Sequence, residues 1–312
     1  MSQVKRVLVT GASGFIGSNL IKELVNKDFL INALIDKDLG NLKEIYDQNK
    51  EKITIIYGNI LDKEKIEKAL EGVRIVFHLA GISSVSEFAS NPEYSFKVNV
   101  EGTKNLLEAS RNKGLEKIII ASSSLVYSDN LQKINEEGGI KIKNPYAESR
   151  REAELIALRE YSKNKLPLLI VRLFNIYGEG QSVKAVIPKL ICQAIKNEEI
   201  CINCSAEKDF TYIDDAVDAL IKLSETKLSG EIINLGSGKL TSLYEISKIL
   251  KREFGENLNI RYINQNEPKE ILGCDNSKLK QLIDWSAKID IQTGIKKTIE
   301  YIRKNKEQYQ IE

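Results

Sequence analysis

Six apolar runs set the rhythm of the chain: Val4–Thr10, Leu30–Ile35, Ile53–Tyr57, Ile75–Leu79, Lys117–Ala121 and Leu168–Leu173. They are continuous rather than alternating, as strands covered on both faces are. Helical spacing fills the intervals. Asp62 can cap a helix carrying Ile66, Ala69 and Leu70, and Asn91-Pro92 opens another with Val98, Leu106, Leu107 and Ala109 on or near one face. Strand and helix in alternation predict an α/β fold, a doubly wound parallel sheet. After about residue 174 the rhythm changes. Short strands at Cys201–Asn203, Ile232–Leu235 and Ile260–Ile263 mix with helices, one starting at the capping box Ser242-x-x-Glu245 and the last covering Ile291 to about Lys304. The charged stretch Arg303–Glu312 reads as a solvated helix end. The expected division is a first domain over 1–174, with 209–238 packing back onto it, and a smaller mixed α/β lobe over 175–312.

The first of these units has a chemical signature. Val4–Thr10 enters Gly11-Ala-Ser-Gly14-Phe-Ile-Gly17, a helical stretch follows, and the second apolar run ends at Asp36. Gly11 permits a tight strand-to-helix turn, Gly14 lets backbone approach a pyrophosphate, and Gly17 lets the helix pack close to the sheet. The helix aims its free N–H groups and positive dipole end at the phosphates. Asp36 stands where a carboxylate meets an adenosine ribose and would repel a 2′-phosphate. It therefore favours NAD over NADP, a preference that Lys37 weakens slightly.

Composition narrows the function. A net charge of +2 with 29% charged residues, and no basic stripe with interleaved aromatics, argues against a nucleic-acid platform. No apolar run approaches the roughly 18 residues needed to cross a bilayer, and the N-terminus enters a strand with no signal-peptide pattern. Four cysteines in 312 residues suggest a reducing compartment, so a cytoplasmic protein without membrane or nucleic-acid partners is expected. Cys201-x-x-Cys204 lacks a second pair, and the only histidine is His78, so no metal site is read. His78 itself lies in an apolar run, where a satisfied strand histidine is the default. Acid–base work then falls to Tyr, Ser, Lys or a carboxylate.

Asn144-Pro-Tyr146-Ala-Glu-Ser-Arg150 begins a helix, with Asn144 as cap and Pro145 in the first turn. Tyr146 and Arg150 are four apart and share a face. A cation beside a phenol favours the phenolate, so Arg150 can prepare Tyr146 for proton transfer. The strand at 117–121 runs into Ser122-Ser123-Ser124, placing hydroxyls at the carboxyl end of a parallel strand, the edge where open α/β sheets bind ligands. A serine there can donate to a substrate oxygen and relay a proton with the tyrosine.

Taken together, these motifs resemble the extended short-chain dehydrogenase/reductases, the family of NAD-dependent nucleotide-sugar epimerases and dehydratases, along nearly the whole chain. The matching segments are residues 11–17, Asp36, Gly58-Asn59-Ile60, His78-Leu-Ala-Gly81, Asn99-Val-Glu-Gly-Thr103 and the serine run before Val126-Tyr127. Tyr146-x-x-x-Arg150, Arg172-Leu-Phe-Asn-Ile-Tyr-Gly178 and Lys208-Asp-Phe-Thr-Tyr-Ile-Asp-Asp215 complete the set. The resemblance implies a Rossmann-type sheet with a smaller substrate lobe. It implies that Gly11, Ser13, Gly14, Phe15, Ile16, Gly17, Asp36, Asn59, Ile60, Leu79, Ala80, Gly81, Asn99, Tyr146 and Arg150 hold NAD. Asn59, where the family usually has Asp, would meet the adenine. Tyr146, Ser123 and Arg150 would carry catalysis, Ser123 being four before Tyr127, with Ser124 the neighbouring possibility. Ser83, Ser123, Ser124, Tyr146, Asn175, Lys208 and Lys269 would meet the substrate, Asn175 at its diphosphate and the two lysines where Arg is common.

Two departures bear on chemistry. Arg150 replaces the usual Lys and keeps the charge in a planar fork. The stretch 201–208 is shorter than usual and lacks a glycine turn. Dehydratases and decarboxylases of the family place an acid beside the catalytic hydroxyl, whereas Ser123 is followed by Ser124 and Leu125. The implied reaction is therefore epimerisation of a nucleotide-diphosphate sugar, in the manner of UDP-glucose 4-epimerase, by transient oxidation to a ketosugar and return of hydride to the opposite face. A nucleotide-linked 4-ketosugar reductase using NAD(P)H is the alternative, and a dinucleotide-binding sensor a third reading. The family also implies a homodimer packed through helices around 91–112 and 145–163.

Overall fold

The computed structural model describes residues 5–128, 131–267 and 269–311. In chain order the strands are β1 (Arg6–Thr10), β2 (Leu30–Ile35), β3 (Ile53–Tyr57), β4 (Ile75–His78), β5 (Lys117–Ser123), β6 (Leu131–Ile134) and β7 (Leu168–Leu173). They continue with β8 (Asn175–Tyr177), β9 (Ile200–Asn203), β10 (Ala206–Tyr212), β11 (Glu231–Leu235), β12 (Leu240–Ser242), β13 (Ile260–Ile263) and β14 (Glu270–Cys274). The chain forms two compact units, one of residues 1–128, 139–173 and 217–233, the other of 129–138, 174–216 and 234–312.

The first unit is built on a seven-stranded sheet in the order β11-β7-β5-β4-β1-β2-β3. The pairings among β1 to β5 and β7 are parallel. Every residue of β7 from Leu168 to Arg172 is buried, as continuous apolar strands with helices on both faces require. Leu8, Val76, Ile118 and Ile170 from the sheet meet Ile66, Leu106 and Ala157 from helices in one core. β2, β3 and β7 have the predicted bounds. Val4 lies outside the described residues, and the first strand begins at Arg6. β5 runs two residues beyond the apolar run because Ser122 and Ser123 continue the ladder against Arg172 and Leu173. The caps act as expected: Asp62 accepts from the Lys65 amide and Asn91 from that of Tyr94.

The second unit is mixed. β10 is the centre of its sheet, antiparallel to β12 and parallel to β14 and β8, with β6 parallel to β14. β9 and β13 form a separate parallel pair. The Ser242–Glu245 capping box closes at the start of the Leu243–Phe254 helix. One expectation fails here. The helix over Ile291–Lys304 is followed by a short 3-10 turn over Lys306–Tyr309 rather than by a solvated end. Tyr309 is 2% and Ile311 7% exposed, and the Tyr309 hydroxyl donates to the Gln181 carbonyl at 3.1 Å. Two apolar side chains in a charged stretch suffice to pin it.

Candidate active site

The glycine turn after β1 is closed by contacts that only hydrogen side chains allow. Gly11 has φ of +67°, and a Cβ on it would stand 2.8 Å from the Ala80 nitrogen. A Cβ on Gly17 would overlap the Gly11 carbonyl oxygen. The Phe15–Asn26 helix starts after Gly14 with no side-chain cap, so its first-turn N–H groups remain to meet a ligand. Phe15 and Ile16 are half-buried, and Ser13 accepts the Asn41 amide through its carbonyl.

Asp36 follows β2 directly and is exposed. Its Oδ1 accepts from Asn59 Nδ2 at 2.8 Å, and the same nitrogen donates to the Tyr94 hydroxyl at 3.0 Å. Asn59 Oδ1 accepts the Leu61 amide at 2.9 Å. An aspartate at 59 would repel Asp36, whereas the carboxamide fixes it. Both amide hydrogens of Asn59 are thereby used, and its oxygen is the group it can still offer a ligand. Ile60 beside it is buried.

Beneath the β4 edge lies a directed chain of hydrogen bonds. Ala80 N–H donates to Thr10 Oγ1 at 3.1 Å, and Thr10 Oγ1 is 2.8 Å from His78 Nδ1. His78 Nε2 is 2.9 Å from Thr103 Oγ1, which donates to the Asn99 carbonyl at 2.7 Å. Since Thr103 spends its hydrogen on that carbonyl, it accepts from His78, which fixes the Nε2–H tautomer and leaves Nδ1 accepting from Thr10. Burial, reinforced by the Arg150 charge, lowers the His78 pKa to about 3. His78 is the satisfied strand histidine expected.

Leu79, Ala80 and Gly81 run off β4, with Ser83 exposed beyond them. Gly81 has φ of +150°, and a Cβ there would stand 2.7 Å from Asn99 Oδ1 and 2.9 Å from Arg150 Nη2. Asn99 is a brace. Its Oδ1 accepts the Ile82 amide at 2.8 Å, and its Nδ2 donates to Ser149 Oγ at 2.9 Å.

The helix over Pro145–Asn164 is capped by Asn144, whose Oδ1 accepts the Ala147 amide at 2.9 Å. Tyr146 is buried, edge-on to Phe88 at 6.2 Å between centroids. The Arg150 guanidinium carbon lies 5.5 Å from the Tyr146 ring centroid. Arg150 Nη2 donates to the Ile82 carbonyl at 3.2 Å, while its Nε is buried without a partner. Ser122 spends its hydroxyl hydrogen on Glu154 Oε1 at 2.6 Å. Ser123 Oγ instead accepts the Leu125 amide at 3.2 Å, which leaves its hydrogen to donate. Ser124, also buried, opens the 3-10 turn that follows.

Glu154 and Arg172 were not singled out as site residues from sequence. Glu154 is 1% exposed and accepts from Ser122, from Arg172 Nε at 2.8 Å and Nη2 at 2.7 Å, and from Arg151 Nη1 at 2.9 Å. Burial pushes its carboxyl up, but these donors outweigh that and hold it below the ordinary range. The one sequence signal is an acid eight residues after Tyr146, on the face of Tyr146 and Arg150.

The three remaining candidates lie in the second unit, on or beside strands that pair with one another. Asn175 opens β8 and donates to the Asp209 carbonyl at 3.0 Å. Lys208 is on β10, half-buried. Lys269 precedes β14 and is ion-paired with Glu207 at 2.5 Å, so a phosphate would compete with that carboxylate for it.

An uncapped helix start behind a glycine cradle, an acid at the next strand end and an unpartnered buried guanidinium N–H all suit a pyridine dinucleotide. The fold and site define a dinucleotide-dependent enzyme of the short-chain dehydrogenase/reductase type. Residues 7–236 match the model of the NAD dependent epimerase/dehydratase family, and the chain belongs to that family. Among its relatives is dTDP-D-glucose 4,6-dehydratase of Mus musculus, 32% identical over 97% of this chain and 90% of that protein. UDP-glucuronate 4-epimerase of Thermodesulfobacterium geofontis is 30% identical over 96% of each. In structure the chain is similar to UDP-glucuronic acid 4-epimerase of Bacillus cereus, solved with UDP-glucuronic acid and NAD. The TM-score is 0.86, with 26% identity over 96% of this chain and 99% of that one.

Proposed function

We propose that this protein is an NAD-dependent epimerase of a nucleotide-diphosphate sugar, inverting a carbinol carbon through a transient ketosugar. The observation that carries the reading is the strand end itself: Tyr146 and Arg150 on one helix face, Ser123 with a hydrogen to donate, and no acid in Ser122-Ser-Ser-Leu125 to drive elimination of water. When bound, NAD supplies the two-electron acceptor and returns the pair, so no net oxidant is consumed.

In this reading the first unit binds NAD and the second the sugar nucleotide. The Phe15–Asn26 helix start, Asp36 and Arg150 hold the dinucleotide. Tyr146 takes the proton of the sugar hydroxyl at its phenolic oxygen, and Ser123 donates to the same sugar oxygen as it becomes a carbonyl. His78 does not serve as the base, since both ring nitrogens are hydrogen-bonded. Asn175 and Lys208 meet the diphosphate, with Lys269 once released from Glu207. We further propose a homodimer through the helices Pro92–Ser110 and Pro145–Asn164, on which Phe96, Val100 and Leu155 stay partly exposed. Four free thiols fit a cytoplasmic setting.

Proton NMR of UDP-, GDP- and dTDP-sugars incubated with the protein tests this. One of them should interconvert with its epimer at no net cost in NAD, and Tyr146→Phe should slow conversion by about 10²–10⁴. Net oxidation of added NADPH or NADH by a ketosugar would instead make it a reductase, and a dehydrated product would make it a dehydratase.

A further inference from the structure

We infer that Glu154 is a positioning residue, which sets the register of the Tyr146–Arg150 helix against the Ser123 strand end through Ser122 and Arg172. The inference rests on the epimerase reading and adds to it a group that touches neither substrate nor cofactor.

Glu154 stands four residues after Arg150 and eight after Tyr146, so all three lie on one helix face. Its carboxylate is 1% exposed and accepts four hydrogen bonds. Two come from Arg172 on β7, in a fork that fixes orientation as well as distance. One comes from Ser122, the residue immediately before Ser123 on β5. The carboxylate therefore clamps adjacent strands β5 and β7 to the helix, one residue from the donor hydroxyl. Arg172 also lies over the Tyr127 ring at 4.6 Å, which holds the segment just beyond Ser124.

A general fold anchor would need no such place. Replacing a buried ion pair by apolar groups is often neutral for stability, so we place the value of this one in orientation. Here the two groups oriented are those that must both reach one sugar oxygen, and a misplacement of about 1 Å costs on the order of 10² in rate.

The test compares wild type, Glu154→Gln and Ser122→Ala on the sugar nucleotide that wild type turns over. For Glu154→Gln we expect kcat to fall about tenfold to hundredfold, with KM and bound NAD within about twofold. Amide hydrogen exchange should rise in residues 122–126 and 146–150 while β1 and β2 stay protected, a pattern that general destabilisation does not give. Should Glu154→Gln not fold, Ser122→Ala removes one partner without unpairing a charge and should lower kcat about threefold to tenfold. Unchanged kcat in either folded variant, or a loss of kcat with exchange raised uniformly, overturns the inference. A wild type that epimerises none of the sugars overturns the underlying reading instead, and the exchange pattern then still reports on the clamp.

Discussion

Acid should unfold this protein partly through one imidazole. His78 is 3% exposed and wedged between Thr10 and Thr103, with its pKa lowered to about 3 by burial and then by Arg150. In the unfolded chain it titrates near 6.5. Between those values the unfolded state binds a proton that the native state refuses. The stability is fully present above pH 6.5 and is lost as the pH falls toward 3. Linkage makes that loss about 2 kcal/mol between pH 7 and 5 and about 3 kcal/mol by pH 4. The assay is urea unfolding followed by circular dichroism at pH 7, 6, 5 and 4, for wild type and His78→Gln. The variant loses hydrogen bonds at every pH, a constant offset, but has no imidazole to charge. Carboxylates titrate alike in both and cancel, so the difference between the two curves should close as the pH falls. Parallel curves would refute the reasoning, because His78 would then accept a proton in the native state.

Other outcomes follow from the same geometry. Asn59→Asp sets a second carboxylate where Asn59 now donates to Asp36 at 2.8 Å, and NAD affinity by isothermal titration should drop about tenfold. Gly17→Ala drives a methyl into the Gly11 carbonyl, and the purified variant should lose the 260 nm absorbance of retained NAD. Tyr309→Ala empties a site with 2% exposure and should cost about 3 kcal/mol in urea unfolding, although it lies in a charged terminal stretch.

Much of the first unit was legible because its inner strands are buried on both faces and several of its helices start at side chains that cap them. Leu30–Ile35 and Leu168–Leu173 were readable to the residue, as was Asn144 before Tyr146. β10 was not, since Ala206–Tyr212 mixes Glu, Lys and Asp with aromatics and gives no continuous apolar run. Its Asp209 is fully buried because the Ser237 and Gly238 amides come to it from a distant turn, a partnership that no local pattern announces. Glu154 was hidden for the same reason. In the sequence it is one more acid on a charged helix, and only Ser122 and Arg172 reveal why it is there. The glycine turn, Asp36 and the Tyr146–Arg150 spacing were readable because each must satisfy a local geometric demand.

The interleaving of the two units bears on how the polypeptide can be made or cut. β6 precedes most of the first unit's last third in sequence, yet its ladder partner, β14, is among the final strands to leave the ribosome. β11, at one border of the large sheet, is likewise synthesised after β9 and β10. A chain terminated after Leu173 would thus carry a strand with no neighbour and a sheet short of one member. A stop codon placed between Leu173 and the start of β11 should therefore yield aggregation-prone protein rather than an isolated nucleotide-binding fragment.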